Sequence, residues 1–150
     1  LFIVNDRADI AVAADAHGLH VGQDDMPARE ARALLRPGRA LGVPTHEEDQ
    51  AGAAVTDGAD YVAVGSIFPT TSRVDCQLVG TDLNRRVRRA VPVPLVAIGG
   101  ITVDNAAEVI RAGADGVAVI SAICARPDPE SATRTLLDRL QSAERPRPAP

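Results

Sequence analysis

Asp57-Gly58-Ala59-Asp60-Tyr61-Val62-Ala63-Val64 returns as Ala112-Gly113-Ala114-Asp115-Gly116-Val117-Ala118-Val119, with a weaker third copy in Ala16-His17-Gly18-Leu19-His20-Val21. In each copy a Gly is expected where a helix ends in a left-handed turn, immediately before a β-branched run begins. Working outward, short apolar runs at 1–4, 19–21, 40–43, 61–64, 95–98 and 117–120 alternate with Ala-rich stretches at helical spacing, at 28–35, 47–55, 83–91, 105–112 and 131–140. Apolar runs covered on both faces and separated by helices predict a parallel sheet, because parallel neighbours need a crossover that a helix supplies. The pattern is six β-α units over residues 1–143, either a barrel or a doubly wound sheet, followed by a Pro-rich tail at 144–150 expected to be disordered.

Composition narrows the function classes. A 150-residue chain that is 45% hydrophobic and 2% aromatic suits one domain with a core of Ala, Val, Ile and Leu. The net charge of −4 gives no nucleic-acid footprint, and Arg85, Arg86, Arg88 and Arg89 surround Leu83, Val87 and Val91 as the solvated face of a helix. All sixteen basic residues are Arg, a compositional bias that bears on Arg73. Cys76 and Cys124 match neither a metal spacing nor a disulfide framework, so a cytoplasmic protein is expected. No apolar run approaches the roughly 20 residues of a membrane helix. The start at Leu1, inside a strand-like run without an initiator Met, is read as a truncation.

In sheets of this kind ligands bind beyond the carboxyl ends of the strands. Those positions hold Asn5-Asp6, Gly22-Gln23-Asp24-Asp25, the long loop 66–80, Gly99-Gly100 and Ser121. Asp6 and Asp25, ending adjacent strands, could converge on Mg2+, which accepts one or two carboxylates plus phosphate oxygens; spacing leaves helix capping equally open. Gly99-Gly100 and Ile120-Ser121 offer backbone N–H groups to an anion, as at a barrel phosphate site. In the loop, Thr70, Thr71 and Ser72 set three hydroxyls beside the Arg73 guanidinium, a donor set for a diphosphate on an expected mobile flap. His20 alternates with apolar neighbours and is expected to be a hydrogen-bonded interior residue.

The segments Phe2-Ile3-Val4-Asn5-Asp6-Arg7, Gly18-Leu19-His20-Val21-Gly22-Gln23-Asp24-Asp25-Met26-Pro27, Gly58-Ala59-Asp60-Tyr61-Val62-Ala63-Val64-Gly65, Ile67-Phe68-Pro69-Thr70, Val96-Ala97-Ile98-Gly99-Gly100-Ile101 and Val119-Ile120-Ser121-Ala122-Ile123 together resemble the thiamine-phosphate synthase family. The resemblance implies a (β/α)8 TIM barrel and a transferase that condenses a pyrimidine diphosphate with a thiazole phosphate, releasing diphosphate. Carried onto this chain, it implies that Asn5 contacts the pyrimidine diphosphate and that Asp6 and Asp25 hold Mg2+. It further implies that Thr70, Thr71 and Ser72 meet the thiazole phosphate with Gly100, Ile120 and Ser121. Ser72 and Arg73 are the residues assigned a catalytic part, through the leaving charge.

Three departures qualify the match. Pro44 in Gly42-Val43-Pro44-Thr45-His46 replaces a family Ser, Ser72-Arg73 replaces Thr-Lys, and six strands stand where a closed barrel has eight. The first two β-α units, with the family's Gln-x-Arg-x-x-Lys segment, are therefore expected upstream of Leu1, and the isolated chain is expected to be inactive. The partners expected are small-molecule substrates, with a homo-oligomer compatible and neither nucleic acid nor membrane. The competing readings are a thiazole tautomerase, disfavoured by Gln23-Asp24-Asp25 and Ile67-Phe68-Pro69-Thr70, and a non-catalytic barrel segment of a fusion protein.

Overall fold

The computed structural model describes residues 1–71 and 76–143. Ser72 and Arg73, and the tail 144–150, lie outside the described residues. Six strands, β1 (Ile3–Asn5), β2 (Gly18–His20), β3 (Ala40–Thr45), β4 (Tyr61–Val64), β5 (Leu95–Ile98) and β6 (Gly116–Ala118), form one sheet in sequence order. Every pairing is parallel. The helices between them are α1 (Ala8–Ala13), α2 (Ala28–Leu34), α3 (Glu48–Thr56), α4 (Gly80–Ala90) and α5 (Ala106–Arg111), and α6 (Ser121–Cys124) and α7 (Pro129–Gln141) follow β6. Each crossover advances by one strand in the same sense, so with a constant hand the helices gather on one side and the sheet curls into a half-barrel.

The two-residue period of a strand divides the sheet into an outer and an inner face. Val4, Leu19, Leu41, Val43, Val62, Val64, Leu95 and Ala97 share the outer face by register and are buried. They pack with Ala8, Ala11, Ala31, Ala51, Leu83, Val87, Val109 and Leu136 of the helices in one core. Ala at the helix contacts lets the helices lie close to the sheet, which is how a chain so poor in aromatics fills its core. The inner face carries Ile3, Asn5, His20, Pro44, Tyr61, Val96 and Ile98, all partly or largely open to solvent, interleaved with the small residues Gly18, Gly42 and Ala63.

The repeated Asp-Gly-Ala-Asp type segment has a structural cause. Asp60 Oδ2 accepts hydrogen bonds from the Leu41 N–H at 2.7 Å and from Arg32 Nη1 at 2.9 Å, while its own N–H donates to the Leu41 carbonyl at 2.8 Å. Asp115 repeats this with the Leu95 N–H at 2.9 Å, Arg88 Nη1 at 2.9 Å and the Leu95 carbonyl at 2.7 Å. In both, the preceding Gly has positive φ (96° at Gly58, 103° at Gly113), and a Cβ there would press on the Arg32 or Arg88 stem. The third copy corrects the expectation of a Gly at each helix end. There Asp15 holds the left-handed position at φ 47°, and His17 replaces the braced Asp, its Nδ1 accepting from the Phe2 N–H at 3.0 Å. Asp is among the few residues with a side chain that visit this region readily.

Boundaries shift for local reasons. α7 begins two residues before the expected 131, because Asp128 accepts from the Ser131 N–H at 3.0 Å and Pro129 occupies the first turn. β3 runs past the expected 43 and through Pro44. The Ala40 N–H and the Gly42 carbonyl both bond to β2 or the chain beside it, so by alternation the backbone of Pro44 faces the same side. β2 has already ended there, so the missing proline N–H costs no ladder bond. The α4 arginines are placed as expected on a solvated face, with Leu83 and Val87 buried beneath; Arg85 pairs with Asp82, and Arg88 with Asp115.

Removing the Asp60 brace tests this account of register. Asp60→Ala strands the half-buried Leu41 N–H and the Arg32 guanidinium together, and should lower stability by about 1–3 kcal/mol. Urea unfolding of the complete protein measures it, and a midpoint equal to wild type would refute the brace.

Candidate functional site at the sheet mouth

Because all six strands are parallel, every loop after a strand emerges at the same end of the sheet. Asn5 and Asp6, the turn 22–25, His46, the loop from Gly65, Gly99-Gly100 and Ile120-Ser121 therefore share one mouth. Asp6 has φ 64°, and its N–H donates to the His20 carbonyl at 2.8 Å, which continues the β1–β2 ladder one residue beyond the Asn5–His20 pair. Asp25 closes a turn, its Oδ2 accepting from the Gly22 N–H at 2.7 Å. Capping was the competing reading of these carboxylates. Neither is the N-cap residue of the helix that follows, since Arg7 and Pro27 hold those positions. Both are solvent-exposed on adjacent strand ends. Among the described residues no cluster of three or more His, Cys, Asp or Glu side chains could hold a metal, so a cation here would rely on this pair plus oxygens from a ligand.

Below the mouth, His20, Gly42 and Tyr61 fall on one row across β2, β3 and β4. Gly42 has no side chain, and across the gap the His20 ring stacks on Tyr61 at a centroid distance of 5.7 Å, with Nδ1 and the Tyr61 hydroxyl 3.0 Å apart. A Cβ on Gly42 would lie 2.0 Å from Tyr61 Cζ and 2.5 Å from His20 Nδ1. The expected hydrogen bonding of His20 is found, on a half-buried ring that faces the open inner side instead of the core, while its partner and the role of Gly42 were missed. A lone Gly inside a strand was the available signal, since it marks close approach of another group. Burial pushes the His20 imidazole below the ordinary histidine range, opposed by the nearby Asp25 carboxylate. Burial likewise pushes the Tyr61 hydroxyl up.

The loop after β4 is pinned at its base. The Ser66 N–H donates to the Gln77 carbonyl at 3.1 Å and the Val79 N–H returns to the Ser66 carbonyl at 2.9 Å. The Ile67 and Phe68 N–H groups bond the Ile98 and Gly99 carbonyls at 3.0 and 3.1 Å. Gly99 and Gly100, at φ 97° and 63°, make this seat, because a Cβ would meet Ser66 Oγ at 2.1 Å in the first case and the Pro69 carbonyl at 2.4 Å in the second. His46 tethers the start of the loop through its Nδ1, 2.5 Å from the Gly65 carbonyl. Thr70 is half-buried and Thr71 exposed, whereas Ser72 and Arg73 are outside the described residues. Ile120, 63% exposed, precedes the four-residue helix α6 that Ser121 opens.

A sequence profile described as thiamine monophosphate synthase matches residues 1–123. The chain belongs to that family. It is 54% identical over 137 residues to thiamine-phosphate synthase of Roseiflexus castenholzii, covering 91% of this chain and 60% of that protein. With the Moorella thermoacetica enzyme of the same name it shares 54% over 136 residues, 90% of this chain and 65% of the other. The chain thus spans between 60% and 65% of the length of these two relatives. The solved thiamine phosphate pyrophosphorylase from Pyrococcus furiosus superposes with a TM-score of 0.87 at 40% identity, over 95% of this chain and 68% of that one. A 3-hexulose-6-phosphate synthase, at 22% identity and TM-score 0.66, shares the fold alone.

Two measurements probe the inner row. Gly42→Ala should destabilise by about 1–3 kcal/mol through overpacking, and it should change the near-ultraviolet signal of Tyr61, the single tyrosine in a chain without tryptophan; an unchanged signal would show that the pair does not meet across Gly42. For pH, the unfolded chain protonates His20 near 6.5 while the folded chain resists. The stability His20 confers is therefore present above about 6.5 and lost as pH falls below it. Urea midpoints between neutral and mildly acidic pH should decline less in His20→Gln than in wild type, and parallel declines would exclude His20 as the cause.

Proposed function

We propose that the complete protein is a thiamine-phosphate synthase, a transferase that joins a hydroxymethylpyrimidine diphosphate to a thiazole phosphate and releases diphosphate. The observation that carries the reading is the single mouth, where the parallel sheet gathers Asn5-Asp6, the Asp25 turn, the seated loop and Gly99-Gly100 in a chain of this family. On this reading the sheet is six of the eight strands of a (β/α)8 barrel over residues 1–143, with β1 and β6 as the edges that further strands meet, and the protein works in the cytoplasm on small molecules.

The residues present suit Mg2+. Asp6 and Asp25 offer hard carboxylate oxygens from adjacent strand ends, and the Gly22 N–H bond engages only Oδ2 of Asp25. When bound, Mg2+ would neutralise charge on the departing diphosphate. Asn5, ending β1 on the inner face, is the residue we assign to the pyrimidine diphosphate. Arg73 and Ser72 are assigned to the leaving charge, and Thr70, Thr71 and Ser72 offer their hydroxyls to the thiazole phosphate. Gly100, Ile120 and Ser121 are assigned to the thiazole phosphate, through backbone N–H groups at the ends of β5 and β6. Holding the thiazole nitrogen against the pyrimidine methylene at the mouth would favour capture there over capture by water.

Asp25→Asn separates chemistry from folding, since an Asn side-chain oxygen still accepts from the Gly22 N–H. In the complete protein, product formation with Mg2+ should fall on the order of 10²-fold with little change in the unfolding midpoint. Activity equal to wild type would remove Asp25 from the metal site.

A further inference from the structure

We propose that Gln23 is a positioning residue for the Asp25 carboxylate, because its side-chain amide supplies the hydrogen bond that β2 no longer provides opposite Pro44. The inference rests on the reading of Asp25 as a metal ligand. β3 outruns β2, ending at Thr45 and pairing with β2 only as far as Gly42. Two residues beyond that pair, the Pro44 carbonyl faces the β2 side, where a continuing ladder would bring a backbone N–H. The chain has instead turned at Gly22. Gln23 Nε2 reaches across and donates to the Pro44 carbonyl at 2.7 Å, in the place of the missing rung.

That bond fastens a turn that is itself closed. The Gly22 N–H donates to Asp25 Oδ2 at 2.7 Å and the Asp25 N–H donates to the Gly22 carbonyl at 3.3 Å, so residues 22–25 move together. The turn is tight enough that a Cβ on Gly22 would lie 2.7 Å from Asp25 Oδ2. Anchoring Gln23 to β3 therefore sets where the Asp25 carboxylate sits relative to Asp6, which the Asp6 N–H bond to the His20 carbonyl holds on the other side of β2. Pro44 cannot donate from its own nitrogen, so its carbonyl is the backbone group this residue offers the turn. The departure from the family at Pro44 thus leaves the carbonyl contact intact while removing a hydroxyl.

The test is Mn2+ binding to the complete protein in the presence of inorganic diphosphate, followed by electron paramagnetic resonance, with no turnover involved. Gln23→Ala should weaken Mn2+ about tenfold, within the range for partners that orient a metal ligand. Gln23→Glu sharpens the test, because it keeps the length, removes the donor and adds negative charge. A residue that merely lies nearby, or that ligates the ion directly, would bind the cation more tightly as Glu; a positioning donor turned against the Pro44 carbonyl binds it more weakly. Weakening in both variants supports the inference. Mn2+ affinity of Gln23→Ala within about twofold of wild type, where the orienting role requires about tenfold, or tightening in Gln23→Glu, overturns it while leaving the metal site standing. Failure of the wild-type protein to bind Mn2+ with diphosphate overturns the metal reading and this inference together.

Discussion

A one-residue slip between parallel strands turns every outward side chain inward, so a sheet with a core on one face must hold its register at each pairing. Here the strand ladders are short, three to four register pairs each, and much of the registration is done by side chains at the strand entrances. Asp60 and Asp115 each take a neighbouring backbone N–H and an arginine on one carboxylate oxygen, and His17 takes the Phe2 N–H at the entrance to β1. With these braces in place Leu19, Leu41, Val62 and Leu95 fall on the helix side together, and the functional loops leave at a common height. These ion pairs are half exposed, so their worth lies in directing the backbone more than in Coulomb energy.

Much of this was legible from residue patterns. Alternating apolar runs and Ala-rich helical stretches lead directly to the parallel sheet, because covering both faces of a strand demands them. The repeat located the braces without disclosing that Asp60 bonds Leu41, since that contact joins residues far apart in the chain. Asp15 hid the third copy because a Gly was the expected left-handed residue. α1 was not singled out, as six residues are too few for a helical period to declare itself.

At the mouth, spacing found the strand ends but not what lay across from them. Asp6 and Asp25 could be placed on one edge from their positions alone, yet that Arg7 and Pro27 hold the N-cap positions in their stead could be seen only from where the helices begin. The His20–Tyr61 contact depends on Gly42 being absent as a side chain, a negative feature that composition does not advertise. Gly99-Gly100, read from sequence as an anion cradle, also has a packing duty toward Ser66 and Pro69, so the same conformational freedom serves the loop as well as any ligand.

The pin at the base of the loop after β4 bears on how the protein can change over generations. Ser66, Gln77 and Val79 fix both ends of the segment, and Phe68 ties its first arm to Gly99. Entropy penalises extra length in a segment so anchored only weakly, roughly 0.6 kcal/mol for each doubling. Insertions and exchanges between the anchors can therefore accumulate with little effect on the sheet, and descendants of this scaffold are free to explore new ligands through one loop while inheriting the rest unaltered.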